Sequence, residues 1–576
     1  MTKPHPIHVE SAACRDCYKC VRHCPVKAVE ILNHTATIRA DLCIACGACV
    51  TVCPAHAKKV RDDIAAAKRL IDTKEKVVVS LAPSALATFD VPPEALVSAI
   101  KQLGFFGVSE TAMGAEAVSL AVHQKMTESG GDDFGVMLSS ACPAAVDLVR
   151  RKLQKLEERI VPMDSPMVAH GKLLRRALGR DIGVVFIGPC IAKKLEADRS
   201  EGVIDVALTF EELQKWLAAE KLDLDAASES NESFLLGRAA AATLYPVEGG
   251  MIESIRAWGR APGIEMMSFS GIDALTHALS DVPVETNGLF LELLCCEGGC
   301  INGPQNPGAR STVIERLKLQ KVRASRSETI AAERVDKAAA GSLLNGLPRP
   351  APAQDVASDR SIDAALLLIG KKSYADELNC GGCGYDSCRD LARALVLGRA
   401  EKEMCVSHMR RLAMNKASAL MAAMPSGVVI VDGDLTIVEC NRRFAEILGD
   451  DVTTVFETLS GLSGAHISKV FPSPKIFEDF KLSAESFFEK EISVAGGIFH
   501  LSLFDIEGKE VVGAILQDIT SPAGRRHRIV KNAEEAIRKS LSTAQQIACL
   551  LGENAAETEV LLQSIVRSFS MEDDDE

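Results

Sequence analysis

The chain has 576 residues, of which 47% are hydrophobic and 4% aromatic, and a formal net charge of −13 at pH 7. That length divides into about three to five domains, and an acidic balance with no basic patch interleaved with aromatics argues against a general nucleic-acid binder. No apolar leader follows Met1 and no uncharged apolar run reaches membrane-spanning length, so the expected setting is the cytoplasm, where thiols stay free or bind metal.

All of the 19 cysteines except Cys295, Cys440 and Cys549 fall into tight groups, and those three read as small buried apolar side chains. Cys14, Cys17, Cys20 and Cys24-Pro25, then Cys43, Cys46, Cys49 and Cys53-Pro54, repeat the bacterial ferredoxin run C-x2-C-x2-C-x3-C-P. In that arrangement the fourth cysteine of each run ligates the other cluster. One 4Fe-4S cluster is therefore expected on Cys14, Cys17, Cys20 and Cys53, and the other on Cys43, Cys46, Cys49 and Cys24. Residues 1–60 then form an electron relay. A zinc knuckle is the competing reading, disfavoured by the doubled runs and by Pro25 and Pro54.

A charged helical stretch, Arg61 to Lys76, leads to Val77-Val78-Val79-Ser80-Leu81-Ala82-Pro83-Ser84, a β-branched apolar run that predicts a buried strand ending in a turn. Gly183-Val184-Val185-Phe186-Ile187-Gly188 and Gly288-Leu289-Phe290-Leu291 predict two more, each with cysteines just past its end. Helical and strand-like patterns alternate to about Leu344, which predicts an α/β domain whose parallel strands gather ligands at their carboxyl ends.

Three cysteine-bearing segments follow in that domain: Ser139-Ser140-Ala141-Cys142-Pro143; Ile187-Gly188-Pro189-Cys190-Ile191-Ala192-Lys193-Lys194-Leu195-Glu196-Ala197; and Leu293-Leu294-Cys295-Cys296-Glu297-Gly298-Gly299-Cys300-Ile301-Asn302-Gly303. In order they resemble the three signatures of the FeFe-hydrogenase catalytic domain, a resemblance that covers residues 76–344. It implies an H-cluster, a 4Fe-4S cubane on Cys142, Cys190, Cys296 and Cys300, with Cys300 also bridging to a two-iron subsite that carries CO, CN⁻ and a bridging dithiolate amine. It further implies that Lys193 pairs with one cyanide, that Pro83-Ser84 contact the other, and that Gly249-Gly250-Met251-Ile252-Glu253 opens a glycine-rich helix start.

The departures from that resemblance are as informative. Active members place a proton-donating cysteine where Ala141 stands, methionines where Gly188 and Leu294 stand, and a serine of the proton path where Val161 stands. The segment that supplies the path's glutamates, Ala117 to Met126, has no acidic residue, which leaves Glu196 as the surviving relay acid. A general acid or base typically contributes about 10²- to 10⁴-fold, so slow turnover with retained ligands is expected. The pattern resembles the PAS-bearing, sensory group of the family.

After a Pro/Ala-rich break around Leu347-Pro348-Arg349-Pro350, Cys380-Gly381-Gly382-Cys383-Gly384-Tyr385-Asp386-Ser387-Cys388 and then Cys405 resemble a small four-cysteine 4Fe-4S domain. Zinc on the four thiolates stays open as the alternative. Val406 to Ala423, free of Gly and Pro, predicts a helix. Ser426 to Asp432, Leu435 to Asn441, the helical Arg442 to Leu448 and strands over Phe499 to Phe504 and Val511 to Asp518 resemble a PAS domain on an antiparallel sheet. Ile537, Leu541, Ala544, Ala548, Leu551, Leu562, Ile565 and Phe569 fall on heptad positions of a modest coiled coil, and Glu572 to Glu576 form an acidic end.

The expected fold class is thus multidomain α/β and α+β: a ferredoxin-like 2×4Fe-4S module (1–60), an α/β catalytic domain (76–344), a linker (345–362), a four-cysteine Fe-S domain (363–406), a connecting helix (407–422), a PAS domain (423–520) and a C-terminal helix (521–576). The expected function is a sensory FeFe-hydrogenase that binds or slowly turns over H2 and signals through its Fe-S clusters to the PAS domain. Its expected partners are H2 and protons, a ferredoxin, H-cluster maturation proteins, a separate output protein and a second copy of the chain, with neither nucleic acid nor membrane. The alternatives are an ordinary H2-evolving or H2-oxidising enzyme, disfavoured by Ala141 and Val161, and an Fe-S assembly protein without the two-iron subsite, disfavoured by Lys193 and the Cys296–Cys300 spacing.

Overall fold

The computed structural model describes residues 3–224, 232–283, 286–307, 311–326, 357–459, 461–520 and, near the C-terminus, 533–534, 536–543 and 545. Most of the expected linker, most of the heptad positions, Cys549 and the acidic end lie outside these residues. Two compact units are present, divided at His408 and Met409. Among the described residues no helix is long and apolar enough to cross a membrane.

The first unit opens on a small module in which β1 (Ile7–Val9) and β4 (Lys58–Val60) pair antiparallel around a hairpin of β2 (Val29–Leu32) and β3 (Thr35–Ile38). The hairpin turns through Asn33 and His34, both left-handed at φ 51° and 58°, the conformation that a two-residue turn matched to strand twist requires. Short helices at Lys19–Arg22 and Ala48–Thr51 carry Cys20 and Cys49 into the centre of the module.

The larger part of this unit is built on two parallel sheets. In the first, β5 (Val77–Leu81), β6 (Gly107–Glu110), β8 (Gly183–Gly188) and β9 (Val206–Thr209) stand in the order β6-β5-β8-β9. Every residue of β5 and β8 is buried, as expected of parallel strands covered on both faces, and each fully buried Val, Leu or Ile there contributes roughly 1.5–3 kcal/mol. The second sheet has the order β10-β11-β7, with β7 at Val136–Leu138, β10 at Glu265–Ser270 and β11 at Leu289–Leu294. Helices Pro143–Lys152 and Ala192–Arg199 begin just after β7 and β8 end, and Pro166–Leu178 starts beside them. The residues past β5, β7, β8 and β11 line one cavity, so the strand ends of both sheets converge on one region.

Residues 357–408 close the first unit with helices Asp359–Leu368 and Cys388–Val396. Their buried Ile362, Leu366 and Leu391 belong to the same apolar core as Val21 and Ile31 of the first module. The second unit is a five-stranded antiparallel sheet, β13-β12-β16-β15-β14, made of β12 (Gly427–Asp432), β13 (Ile437–Cys440), β14 (Phe487–Val494), β15 (Gly497–Glu507) and β16 (Val511–Asp518). Phe444, Phe477, Leu501 and Leu516 fill its core. The expected helices Val406–Ala423 and Arg442–Leu448 form over those residues.

Candidate active site

Three of the strands that end in this region, β7, β8 and β11, hand over a signature cysteine. Cys142 follows β7 and caps helix Pro143–Lys152, whose first position is proline; proline costs nothing there because that N–H is unpaired in any case, and the helix dipole favours an anion at this end. Cys190 follows β8 and precedes helix Ala192–Arg199. Cys296 follows β11, and Gly298 and Gly299, at φ 72° and 107°, turn the chain so that Cys300 comes back toward it. A Cβ on Gly299 would lie 2.2 Å from the Pro246 carbonyl oxygen, so glycine is required by space as well as by conformation.

The four thiols feel one another. Burial, then the charges of Cys142 and Cys190, push the Cys300 thiol up, and Cys296 is pushed up by burial and by Cys300 and Cys190. Burial raises Cys190 to about 11, whereas a hydrogen bond with the Cys295 thiol holds Cys142 down at about 6 against its own burial. Four buried thiolates repel unless a cation joins them, which is the donor set of a metal cluster. Cys295 therefore does more than fill space, although it carries no expected ligand role.

Beside the thiols lies a cavity of about 90 Å³, several times the room one water needs. Pro83, Ser84, Ala141, Phe186, Lys193 and Leu294 line it together with Cys142, Cys190 and Cys300. The Ser84 hydroxyl is buried without a hydrogen-bond partner among the described residues, a cost of about 1–3 kcal/mol unless a bound group accepts from it. Lys193 Nζ donates to Glu196 Oε2 at 2.7 Å and to Ser165 Oγ at 2.9 Å, and lies 3.4 Å from the Ala141 carbonyl. An unpaired donor, an ammonium and three thiols around an apolar hollow fit a small inorganic group with anionic ligands.

The adjacent Lys194 has a different fate, fully buried and held by Asp63 Oδ2 at 2.7 Å, Glu212 Oε1 at 2.9 Å and the Ala207 carbonyl at 3.0 Å. It braces the segment after the first module against β9. Gly188 has a local reason too, since a Cβ there would meet the Phe186 ring at 2.6 Å, and that ring occupies the cavity wall. Val161 is buried and shares an apolar cluster with Ala141, so no hydroxyl stands at that place.

Three buried acids belong to no sequence motif. Glu292 of β11 lines the cavity, and its carboxylate accepts from Met251 N at 3.1 Å and Ile252 N at 3.4 Å in the first turn of helix Gly250–Ala257. Burial pushes it up to about 7. Its signal was legible as a lone charge inside the run Leu289-Phe290-Leu291-Glu292-Leu293-Leu294. Glu116 belongs to the long helix Ala112–Asp133, one residue before the acid-free segment, and accepts from the amides of Ala240 and Ala242 at 3.0 and 3.1 Å. Glu110 is paired with Arg326. Both act as anchors for backbone and loop.

The other cysteine sets also assemble. After burial, the charges acting to raise Cys20 include Cys17, Cys14 and Cys53, and those raising Cys49 are Cys43, Cys46 and Cys24, the exchange of fourth cysteines expected of paired runs. Cys383 is raised by burial and by Cys405 and Cys380, while Cys388 begins a helix with its amide held by Asn379 Oδ1 at 2.8 Å. Cys440, by contrast, is the one cysteine among the described residues of the second unit.

Residues 75–304 match the family model of the iron only hydrogenase large subunit, C-terminal domain. Residues 13–57 match a 4Fe-4S dicluster domain, 376–407 the FeS cluster model and 415–490 a PAS domain. The chain therefore joins a hydrogenase-type domain to iron–sulfur modules and a PAS domain. Iron hydrogenase 1 of Clostridium pasteurianum is 23% identical over 317 residues, 45% of this chain and 55% of that protein, so the match spans about half of that relative's length. The periplasmic [Fe] hydrogenase large subunit of Nitratidesulfovibrio vulgaris is 24% identical over 369 residues, 53% of this chain and 87% of that one. A cytosolic Fe-S cluster assembly factor, NAR1 of Vanderwaltozyma polyspora, is 33% identical over 88 residues, 15% of this chain and 17% of that one.

Proposed function

We propose that the chain is a sensory FeFe-hydrogenase in which the cavity holds an H-cluster and the PAS domain passes its redox state to an output partner. Cys142, Cys190, Cys296 and Cys300 would hold the cubane, Cys300 as the bridge, with Lys193 and Ser84 donating to the anionic ligands of the two-iron subsite. When bound, that group supplies the polarising metal for splitting H2 and an outlet for electrons. The observation that carries the sensory reading is the wall at Ala141: it presents a methyl group and no proton where turnover needs a donor. Glu196, the nearest expected acid, is buried with Oε2 on Lys193 and Oε1 without a partner among the described residues, and Lys193 joins it to Ala141 only at a backbone carbonyl, which has no proton to give. Four thiols keep the ligands, and the missing donor slows the cycle, which suits occupancy and redox state as a readout better than flux.

The sites at Cys14/Cys17/Cys20/Cys53, Cys43/Cys46/Cys49/Cys24 and Cys380/Cys383/Cys388/Cys405 would each take a 4Fe-4S cluster. A second copy of the chain, a maturation system and an output protein belong to the same proposal. Infrared spectroscopy of the matured protein, with H2 evolution measured on the same sample, tests it. CO and CN⁻ stretching bands with slow turnover are expected. Missing bands would remove the hydrogenase reading, and turnover as fast as an ordinary hydrogenase would remove the sensory one.

A further inference from the structure

The four-cysteine module follows the hydrogenase domain in sequence, yet it is built onto the ferredoxin-like module. Lys27 Nζ donates to the Gly384 carbonyl at 2.7 Å and lies 3.4 Å from Asp386. Gly384, at φ 93°, packs so tightly that a Cβ would stand 2.9 Å from the Arg22 amide nitrogen and 3.0 Å from a Val21 methyl. The amide of Ile31 donates to the Arg399 carbonyl at 3.0 Å, extending the β2 edge, and the amide of His34 donates to Glu401 at 3.1 Å. Tyr385 is buried in this seam, where the thiols of both Cys383 and Cys24 act on it.

Cys24 is grouped with Cys43, Cys46 and Cys49, and that set also adjoins the hydrogenase cysteines. Gly47, next to Cys46, is pressed against Pro304 and against Ile191, the neighbour of Cys190; a Cβ there would meet them at 2.6 and 3.0 Å. Cys46 lies near enough to Cys190 for its charge to be felt. The set thus reaches the hydrogenase cysteines through Cys46 and the four-cysteine module through Cys24. In the same module Cys17 is exposed.

We propose that the Cys24/Cys43/Cys46/Cys49 site is a branch point that exchanges electrons with the Cys380/Cys383/Cys388/Cys405 site directly across the Tyr385 seam, so that the Cys14/Cys17/Cys20/Cys53 site is a side branch toward solvent. This rests on the reading that all three sets carry 4Fe-4S clusters. The step is a one-electron exchange: the branch-point site loses one electron, the four-cysteine site gains it, and no atom or proton is transferred. Electrons enter from H2 or from any low-potential one-electron reductant.

The test needs no hydrogenase activity. The full chain with reconstituted clusters is reduced with dithionite, and electron paramagnetic resonance reads the magnetic coupling between neighbouring reduced clusters, the four-cysteine signal being the one lost in Cys383→Ala. That signal should be split or broadened in the unmodified chain, remain so in Cys17→Ala, and sharpen to an isolated signal in Cys46→Ala. Lys27→Glu, which leaves every cysteine in place but sets like charge against Asp386, should weaken the coupling at unchanged iron content. Coupling lost in Cys17→Ala but kept in Cys46→Ala would overturn the branch. So would an uncoupled or absent four-cysteine signal in the unmodified chain, or coupling indifferent to Lys27→Glu. Missing infrared bands, by contrast, would fault the hydrogenase reading and leave this result standing.

Discussion

Replacing Ala141 with cysteine puts the proposed function under direct strain. The methyl group of Ala141 faces a cavity of about 90 Å³, so one added sulfur can enter without displacing backbone. A positioned general acid is worth about 10²- to 10⁴-fold, or roughly 3–5.5 kcal/mol of barrier. The structure argues that only part of this returns. Beyond the new thiol the proton meets Val161, buried and without a hydroxyl, and the carboxylate of Glu196 is engaged by Lys193 at 2.7 Å. A donor without a relay should therefore recover about 10- to 100-fold, equivalent to about 1.4–2.7 kcal/mol, and Val161→Ser added to it should recover more than either change alone. The assay is H2 evolution from a reduced low-potential dye, normalised to the infrared bands of each sample so that loading and rate are separated. Unchanged turnover in the single and double variants with bands intact would refute the argument that the missing donor limits this site.

Cys300→Ala should abolish the CO and CN⁻ bands while the visible absorption of the ferredoxin-type clusters persists; intact bands would remove Cys300 as the bridge. Gly299→Ala forces a Cβ to within 2.2 Å of the Pro246 carbonyl oxygen and should lower the melting temperature of the hydrogenase domain together with its iron content, an outcome that normal loading and melting would contradict. Glu292 is raised by burial from 4.5 to about 7, so its folded form prefers the proton: its contribution is fully present below pH 4.5 and is lost as pH rises through about 7, roughly 3 kcal/mol in all. Unfolding measured at pH 5 and pH 8 should show that loss in the unmodified chain and a shallower one in Glu292→Gln. Hydrogen exchange over residues 406–520 should respond to H2 in the unmodified protein and stop responding in Cys383→Ala, because helix Val406–Ala423 starts one residue after Cys405; an equal response in both would rule out a signal through that site.

What could be read from the chain was whatever chemistry writes into local spacing. The doubled ferredoxin runs led to an expected set for each fourth cysteine, and continuous apolar runs such as Val77–Leu81 declared strands buried on both faces, hence parallel and hence with a site at their carboxyl ends. Helix Val406–Ala423 was legible because nothing in it breaks a helix. The division of the parallel strands into two sheets, and a four-cysteine module seated more than 350 residues back along the chain on Lys27, have no such local mark, since neither is a property of any window of sequence.

The paired lysines show where the limit falls. Side by side after Cys190, Lys193 and Lys194 have the same chemistry, and only the fold separates them: one helix position turns Lys193 to the cavity, the next turns Lys194 into a buried cage of Asp63 and Glu212. Removing Lys194 would leave the buried Glu212 carboxylate without its cation, typically a cost of several kcal/mol, so Lys194 is tied to the integrity of the domain. Lys193 donates to one carboxylate, one hydroxyl and, at 3.4 Å, the Ala141 carbonyl, and lines the cavity beside Ser84, whose hydroxyl has no partner among the described residues. A hydroxyl left facing an apolar hollow is costly unless something accepts from it, and the thiols and ammonium beside it suit an anionic group on a metal better than a lone water.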